Sequence, residues 1–371
     1  TATKEVYMKN LPNKMCAVLL TGHGGFDKLV FRDDVPVPRP SKDEVVINVT
    51  AAGVNNTDIN TRIGWYSKSV KSETNQGGSE GFAKVNINDA SWSGKPLVFP
   101  LIQGADCSGE IVAIGEGVKP ERIGERVVVR TMMQNPKNKT PFSCWTMGSE
   151  CNGAFAQFTA VPSSEAFKIE CDWSDIELAS IPCAYSTAEN MLQRIGLSAE
   201  RVLINGASGG VGSAAIQLAK CRGAEIISIS RIKKADSLMS LGSIKVIDRD
   251  QDLVAKIGSE SIDVVIDLVG GIRWPDLLNI LRPGGRYITS GAIAGPIVEL
   301  DLRILYLKDL TLKGSTWQDV KAFKNLISLI EKNRIKPIIA KTFELRDIIK
   351  AQEMFLKKDF IGKIVLTIPK L

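Results

Sequence analysis

Eight residues constrain this chain more than any others: Asn205-Gly206-Ala207-Ser208-Gly209-Gly210-Val211-Gly212. The apolar run Val202-Leu203-Ile204 precedes them, and Ser213-Ala214-Ala215-Ile216-Gln217-Leu218-Ala219-Lys220 follows. The run is short enough to be a buried strand, and the small residues beyond the turn suit a helix. Strand, glycine turn and helix in that order bring several backbone N–H groups and a helix N-terminus against a pyrophosphate. Glycine spacing alone is a weak signal. With strand and helix on its two sides, it predicts a dinucleotide site.

The rest of the chain divides around that motif. Its 371 residues suit two domains. The first ~170 read as β-rich by alternation and turn spacing. Strands are predicted at Met15–Leu20, Glu44–Ala51, Gly109–Ile114 and Arg126–Arg130, with Pro36-Val37-Pro38-Arg39-Pro40 as an extended connector and a short helix after Asp58. From about Asp175 apolar runs alternate with helical stretches. The runs are Ala224–Ile229, Asp263–Leu268 and Gly285–Ser290; the helices are Lys234–Leu241, Asp252–Ile257 and Trp274–Leu281. That alternation is the signature of a parallel sheet covered on both faces, so the fold class is α/β. The tail reads as helices at Val320–Lys332 and Arg346–Lys357, then a closing strand Lys363–Ile368. Residues 67–97, rich in Ser, Lys, Asn and Gly, read as a surface insertion, with a substrate-side lid as the alternative.

Composition narrows the function classes. An apolar fraction of 44% and a charged fraction of 24% belong to a globular chain. No apolar run approaches the roughly 20 residues that span a bilayer. No hydrophobic leader opens the sequence, so the expected location is the cytoplasm, with no membrane partner. The net charge of +6 is spread out, and Lys233-Lys234 and Lys357-Lys358 read as isolated pairs on a solvated surface. Nucleic acid is therefore not an expected partner. The seven cysteines form no CxxC pair and are expected as reduced thiols. The one histidine, His23, lies in a glycine-rich turn and is expected at the surface.

Further motifs follow in a characteristic order: Ala51-Ala52-Gly53-Val54-Asn55-Asn56-Thr57-Asp58, Gln103-Gly104-Ala105-Asp106-Cys107-Ser108-Gly109-Glu110, and Gly124-Glu125-Arg126-Val127. Gly153-Ala154-Phe155-Ala156-Gln157-Phe158, Leu281-Arg282-Pro283-Gly284-Gly285-Arg286 and Gly362-Lys363-Ile364-Val365-Leu366 complete the set. Over nearly its whole length the chain resembles the medium-chain dehydrogenase/reductase superfamily. Within that superfamily it looks like the zinc-independent quinone oxidoreductase and enoyl reductase branch. The resemblance implies a GroES-like catalytic domain at 1–174, completed by 319–371, around a Rossmann domain at 175–318. It also implies a homodimer.

Zinc-dependent relatives in that superfamily place a Cys where Asn55 stands and a Gly-His-Glu run where this chain has Gly104-Ala105-Asp106. Cys183 falls where a third ligand would be, but a catalytic zinc needs three protein donors. The lobe that holds a structural zinc in relatives maps onto Arg130–Gly153, which has only Cys144 and Cys151. No metal is expected at either place. Without a Lewis acid, the favoured substrate is a quinone or a conjugated C=C. The arriving charge then spreads into a phenolate or enolate that a hydrogen-bond donor can hold.

The resemblance also suggests roles for particular residues. Tyr66 matches a tyrosine that contacts the substrate carbonyl or supplies a proton; lining the pocket as an aromatic is the equal alternative. Asn55 would orient nicotinamide or substrate, or else cap the helix that follows. Ala207, Ser208, Gly209, Gly210, Val211 and Gly212 would hold the pyrophosphate. The position that carries an acid in NAD-binding folds is about Ser230, followed by Arg231, and Lys234 matches a lysine placed against a 2′-phosphate. Those three suit NADPH. Leu268, Val269, Gly270, Gly291 and Ala292 would line the ribose–nicotinamide trough. The resulting expectation is an NADPH-dependent reductase of a conjugated small molecule. A cofactor-binding protein without catalysis and an alcohol dehydrogenase are the alternatives.

Overall fold

The computed structural model describes residues 11–371. Two sheets organise it. The first is parallel throughout, in the spatial order Ser243–Asp248, Glu225–Ser230, Arg201–Asn205, Ile262–Asp267, Leu281–Thr289, Thr311–Gly314. Alternation along its strands divides the core. Val202 and Ile204 face one buried cluster with Val264, Ile266 and Ile288, while Leu203 faces another with Ile227, Val265 and Tyr287. Both faces are therefore covered, as a parallel sheet requires.

The second sheet is mostly antiparallel, ordered Ile339–Glu344, Lys363–Thr367, Glu44–Val54, Ser108–Ile114, Arg126–Val129, Ala166–Lys168, with Phe158–Pro162 also on Glu44–Val54. The last strand of the chain thus lies beside one of the first, pairing Ile364 with Val54. That pairing carries the Gly362-Lys363 corner to the seam between the sheets. Gly362 N–H donates to Ser208 O at 3.3 Å, joining the tail to the glycine turn. The α/β class and the Rossmann-type parallel sheet agree with expectation.

The differences are local. The extent of helix Pro182–Ile195, 14 residues long, and strands Leu29–Pro36, Ser243–Asp248, Thr311–Gly314 and Ile339–Glu344 were not expected. Helix Pro182–Ile195 packs against the glycine-turn helix Gly210–Cys221, and Asn190 and Ser186 lie on its buried surface. Those polar core positions hide its periodicity. The four strands expose much of their length, so their apolar alternation is weak. Helix Val320–Glu331 packs its Phe323, Leu326 and Ile330 into the same core as Met191 and Leu192.

Candidate active site

The glycine turn is shaped by close approach. Gly206 has φ +82, a left-handed conformation that favours glycine. At Gly212 an added Cβ would run into Gly206 O, which only glycine allows this near a turn. Helix Gly210–Cys221 starts there and buries Ala214, Ala215, Ile216 and Leu218. Its first N–H groups face the turn and are free to meet an anion.

Asp267, fully buried at the end of its strand, ties the turn to the next loop. Its Oδ1 accepts from Asn205 Nδ2 at 3.0 Å, Val269 N–H at 3.0 Å and Gly270 N–H at 3.1 Å. Tyr287 OH donates to Oδ2. Ala294 N–H then donates to Val269 O at 2.9 Å, bringing the loop that holds Gly291 and Ala292 alongside. Leu268, Val269, Gly270, Gly291 and Ala292 therefore form one continuous lip beside the turn.

At the other end, Ser230 closes its strand with Oγ buried and without a partner. Lys234 is buried and donates from Nζ to Ser208 Oγ at 3.2 Å, Lys358 O at 3.1 Å and Phe360 O at 3.0 Å. Burial, then Arg231, pulls the Lys234 ammonium below the usual lysine range. Burial, then Lys234, pulls Lys358 down to about 8. The two lysine pairs expected as separate solvated surface thus meet. Lys233 pairs with Asp359, while Lys234 and Lys358 turn inward to a corner short of negative charge.

Across the seam, helix Asn56–Ile63 starts at Asn55 and ends at Gly64, which adopts φ +80. Asp58 Oδ2 accepts Asn55 N–H at 2.8 Å. Asn55 is thus the cap residue, but its amide is committed elsewhere. Asn55 Nδ2 donates to Asp106 Oδ2 at 2.9 Å, and Lys363 Nζ donates to Asn55 Oδ1. Lys363 Nζ also lies 3.0 Å from Asp106 Oδ2, and Cys183 N–H donates to Asp106 Oδ1 at 2.6 Å. Burial, then the Asp106 carboxylate, pushes the Cys183 thiol well above its ordinary range. Burial raises the Asp58 carboxyl to about 7.

Tyr66 follows the same helix. Its hydroxyl donates to Thr57 Oγ1 at 3.0 Å, and burial raises the phenol to about 12. Its ring meets Trp65 edge-on at 5.8 Å. Two neighbouring expectations change. His23 is part-buried rather than on an open turn: Nδ1 is 2.7 Å from Thr61 O, and the ring stands edge-on to Phe99 at 5.1 Å. Residues 67–97 are only partly surface, since Val70, Thr74, Ala90 and Ser91 are buried.

Lys363, Lys358, Asp267 and Thr57 were not singled out from sequence. Signals existed for two of them. Lys363 is the one charge in an otherwise apolar closing strand, and Asp267 is the acid that ends a buried run just before Gly270. All seven cysteines are free thiols, and no group of three or more His, Cys, Asp or Glu suited to a metal ion occurs among the described residues.

Comparison with known proteins agrees with this architecture. Residues 41–171 match the alcohol dehydrogenase GroES-like domain, and residues 210–332 match the zinc-binding dehydrogenase model. Acryloyl-coenzyme A reductase of Metallosphaera sedula is 27% identical, covering 95% of this chain and all of that protein. Human quinone oxidoreductase is 26% identical over 95% of this chain and 97% of its own length. A solved structure from Sinorhizobium meliloti 1021, named as an alcohol dehydrogenase, superposes with a TM-score of 0.87. It shares 44% identity, covering 97% of this chain and 98% of that one.

Proposed function

Since the chain belongs to the medium-chain dehydrogenase/reductase superfamily, whose members bind a nicotinamide cofactor, we propose that it is a zinc-independent, NADPH-dependent reductase of conjugated acceptors. The observation that carries this reading is the Asn55–Lys363–Asp106 cluster, which places an ammonium where a metal-dependent relative would need ligands. Asp106 spends both oxygens on Asn55, Cys183 and Lys363, and Asn55 spends its amide on Asp106 and Lys363. Such a donor set does not fit zinc, which takes thiolate, imidazole or free carboxylate.

The residues present fit NADPH. The glycine turn and the N-terminus of helix Gly210–Cys221 would hold the pyrophosphate. The orphan Ser230 Oγ, with Arg231 next to it and Lys234, would take the 2′-phosphate, and Lys358, whose Nζ donates to Asn56 Oδ1, adds its charge near Lys234. When bound, the dihydronicotinamide supplies a hydride. Tyr66, neutral at physiological pH, turns its O–H from Thr57 Oγ1 to the acceptor and supplies the hydrogen bond or proton that stabilises the product anion. Thr57 Oγ1 holds the phenol in place before the acceptor arrives, and Asn55 fixes the start of the helix that carries Thr57 and leads to Tyr66.

The favoured acceptors are quinones, enones, alkenals and enoyl thioesters. The named activities of two relatives, acryloyl-coenzyme A reductase and quinone oxidoreductase, lie in the same class. The edge strand Thr311–Gly314 and the exposed Ile297, Leu302, Tyr306 and Leu307 beside it favour a homodimer. Free thiols suit a reducing cytoplasm.

The test is NADPH oxidation against a quinone, an enone, an alkenal and a short enoyl thioester, with NADH in parallel. Turnover of one class with NADPH preferred supports the reading. Turnover of simple alcohols or ketones alone, or a zinc requirement, overturns it.

A further inference from the structure

Residues 67–97 follow Tyr66, just beyond helix Asn56–Ile63, and are fixed at both ends. Arg62, fully buried, holds the inner part. Its Nη2 donates to Gly78 O at 2.6 Å, Nη1 to Gly24 O at 3.0 Å and Nε to Gln352 Oε1 at 2.9 Å. Its guanidinium also stands 4.3 Å from the Phe26 ring centroid. The outer part is stitched to itself and to its neighbours. Lys68 N–H donates to Asp89 Oδ2 at 3.0 Å, Asn86 N–H to Ser67 Oγ at 3.1 Å and Ser93 N–H to Glu150 Oε1 at 3.2 Å. Such a segment is a built layer of the fold rather than a loose excursion.

Between those anchors the segment crosses from one sheet's domain to the other. Trp65 Nε1 donates to Ser72 O at 3.0 Å, keeping the crossing beside Tyr66. Two residues later, Thr74 N–H donates to Ile293 O at 3.0 Å. Ile293 adjoins Ala292 and Ala294, in the loop that Val269 holds against the glycine turn. Thr74 is buried, and its Oγ1 has no partner. One chain of contacts therefore runs from the candidate acid through Thr74 to the candidate cofactor trough.

We propose that Thr74 is a specificity-determining position: its backbone bond to Ile293 holds residues 70–74 as a fixed wall across the cleft between Tyr66 and the 290–295 loop. This rests on the acceptor-reductase reading above. A wall tied at both sides cannot step back for a bulky group, so it favours acceptors that are small and unbranched where they meet Tyr66. A surface insertion would leave acceptor size undecided.

Proline is the variant that removes the donor alone. Thr74 is the first residue of a 3-10 turn, and Glu73 before it is extended (ψ 155), the backbone that a following proline prefers. Thr74→Val keeps the N–H and the shape while removing the hydroxyl. The experiment compares kcat/KM for a small and a bulky acceptor of one chemical class. It also follows hydrogen exchange of residues 290–296 without acceptor. Thr74→Pro should raise the bulky-to-small ratio several-fold, up to about tenfold for one lost hydrogen bond, and speed exchange in the loop. Thr74→Val should keep the ratio and the exchange of the native chain. A folded Thr74→Pro with native ratio and native exchange overturns the proposal. No turnover by any variant, with faster exchange in Thr74→Pro, overturns the acceptor reading and leaves the tie intact.

Discussion

Lys363 Nζ lies 3.0 Å from Asp106 Oδ2, with side-chain exposures of 4% and 0%. A buried ion pair owes its persistence to the further hydrogen bonds around it, here from Asn55 and Cys183. Removing one partner leaves the other charge stranded. Lys363→Met should therefore destabilise the chain by about 3–5 kcal/mol, and adding Asp106→Asn should recover much of that loss. Urea denaturation of the single and double variants measures both. A single-variant loss below about 1 kcal/mol would place the pair with surface bridges.

On the proposed reading, the end of strand Glu225–Ser230 sets cofactor choice. Ser230→Asp puts a carboxylate where NAD-binding folds carry one and opposes a 2′-phosphate beside it. NADPH should weaken by at least about tenfold relative to NADH, the cost of one charge-assisted bond. Fluorescence titration with each cofactor reads the ratio. An unchanged ratio would remove Ser230 from the site.

Cofactor affinity should also depend on pH through Lys358, whose ammonium is lowered to about 8 by burial and by Lys234. Below that value it is charged and attracts the phosphate; as pH rises through about 8 the attraction fades. The NADPH Kd should rise between about pH 7 and about pH 9 while the NADH Kd changes little. Lys358→Met should flatten the NADPH curve.

Asp58 predicts a different pH signature. Its carboxyl is held at about 7, above the ordinary 3.8, chiefly by burial. Between those values the folded chain binds more protons than the unfolded one, so this group's contribution to stability is lost as pH rises through about 7. Asp58→Asn removes the charge and can still accept Asn55 N–H. Its Tm relative to the native chain should be higher at about pH 8 than at about pH 5. Equal differences at the two values would mean that Asp58 stays ionised throughout.

Sequence carried the local rules further than the long-range ones. The glycine turn, the alternating runs and the closing strand were legible because each obeys a period or a turn chemistry within a dozen residues. The extent of helix Pro182–Ile195 was not, because its buried face includes polar Ser186, which bonds back to Cys183 O, and Asn190, whose partner Ser315 lies far along the chain. Likewise Lys234 and Lys358 are 124 residues apart, so a local reading gives each a solvated pair when the fold brings them to one corner. Asn55 was legible as a helix cap or a contact for nicotinamide or substrate. That its amide joins Lys363 to Asp106 depends on a strand that arrives 308 residues later.

On the proposed reading, Tyr66 and no metal manages the product's charge. The most direct measurement is kcat for the best acceptor with exhaustively chelated protein, for the native chain and for Tyr66→Phe, alongside NADPH affinity. The native chain should keep its rate after chelation, and Tyr66→Phe should lose about a hundredfold or more with NADPH binding intact. A rate that vanishes on chelation and returns with zinc, with Tyr66→Phe near native, would contradict the account.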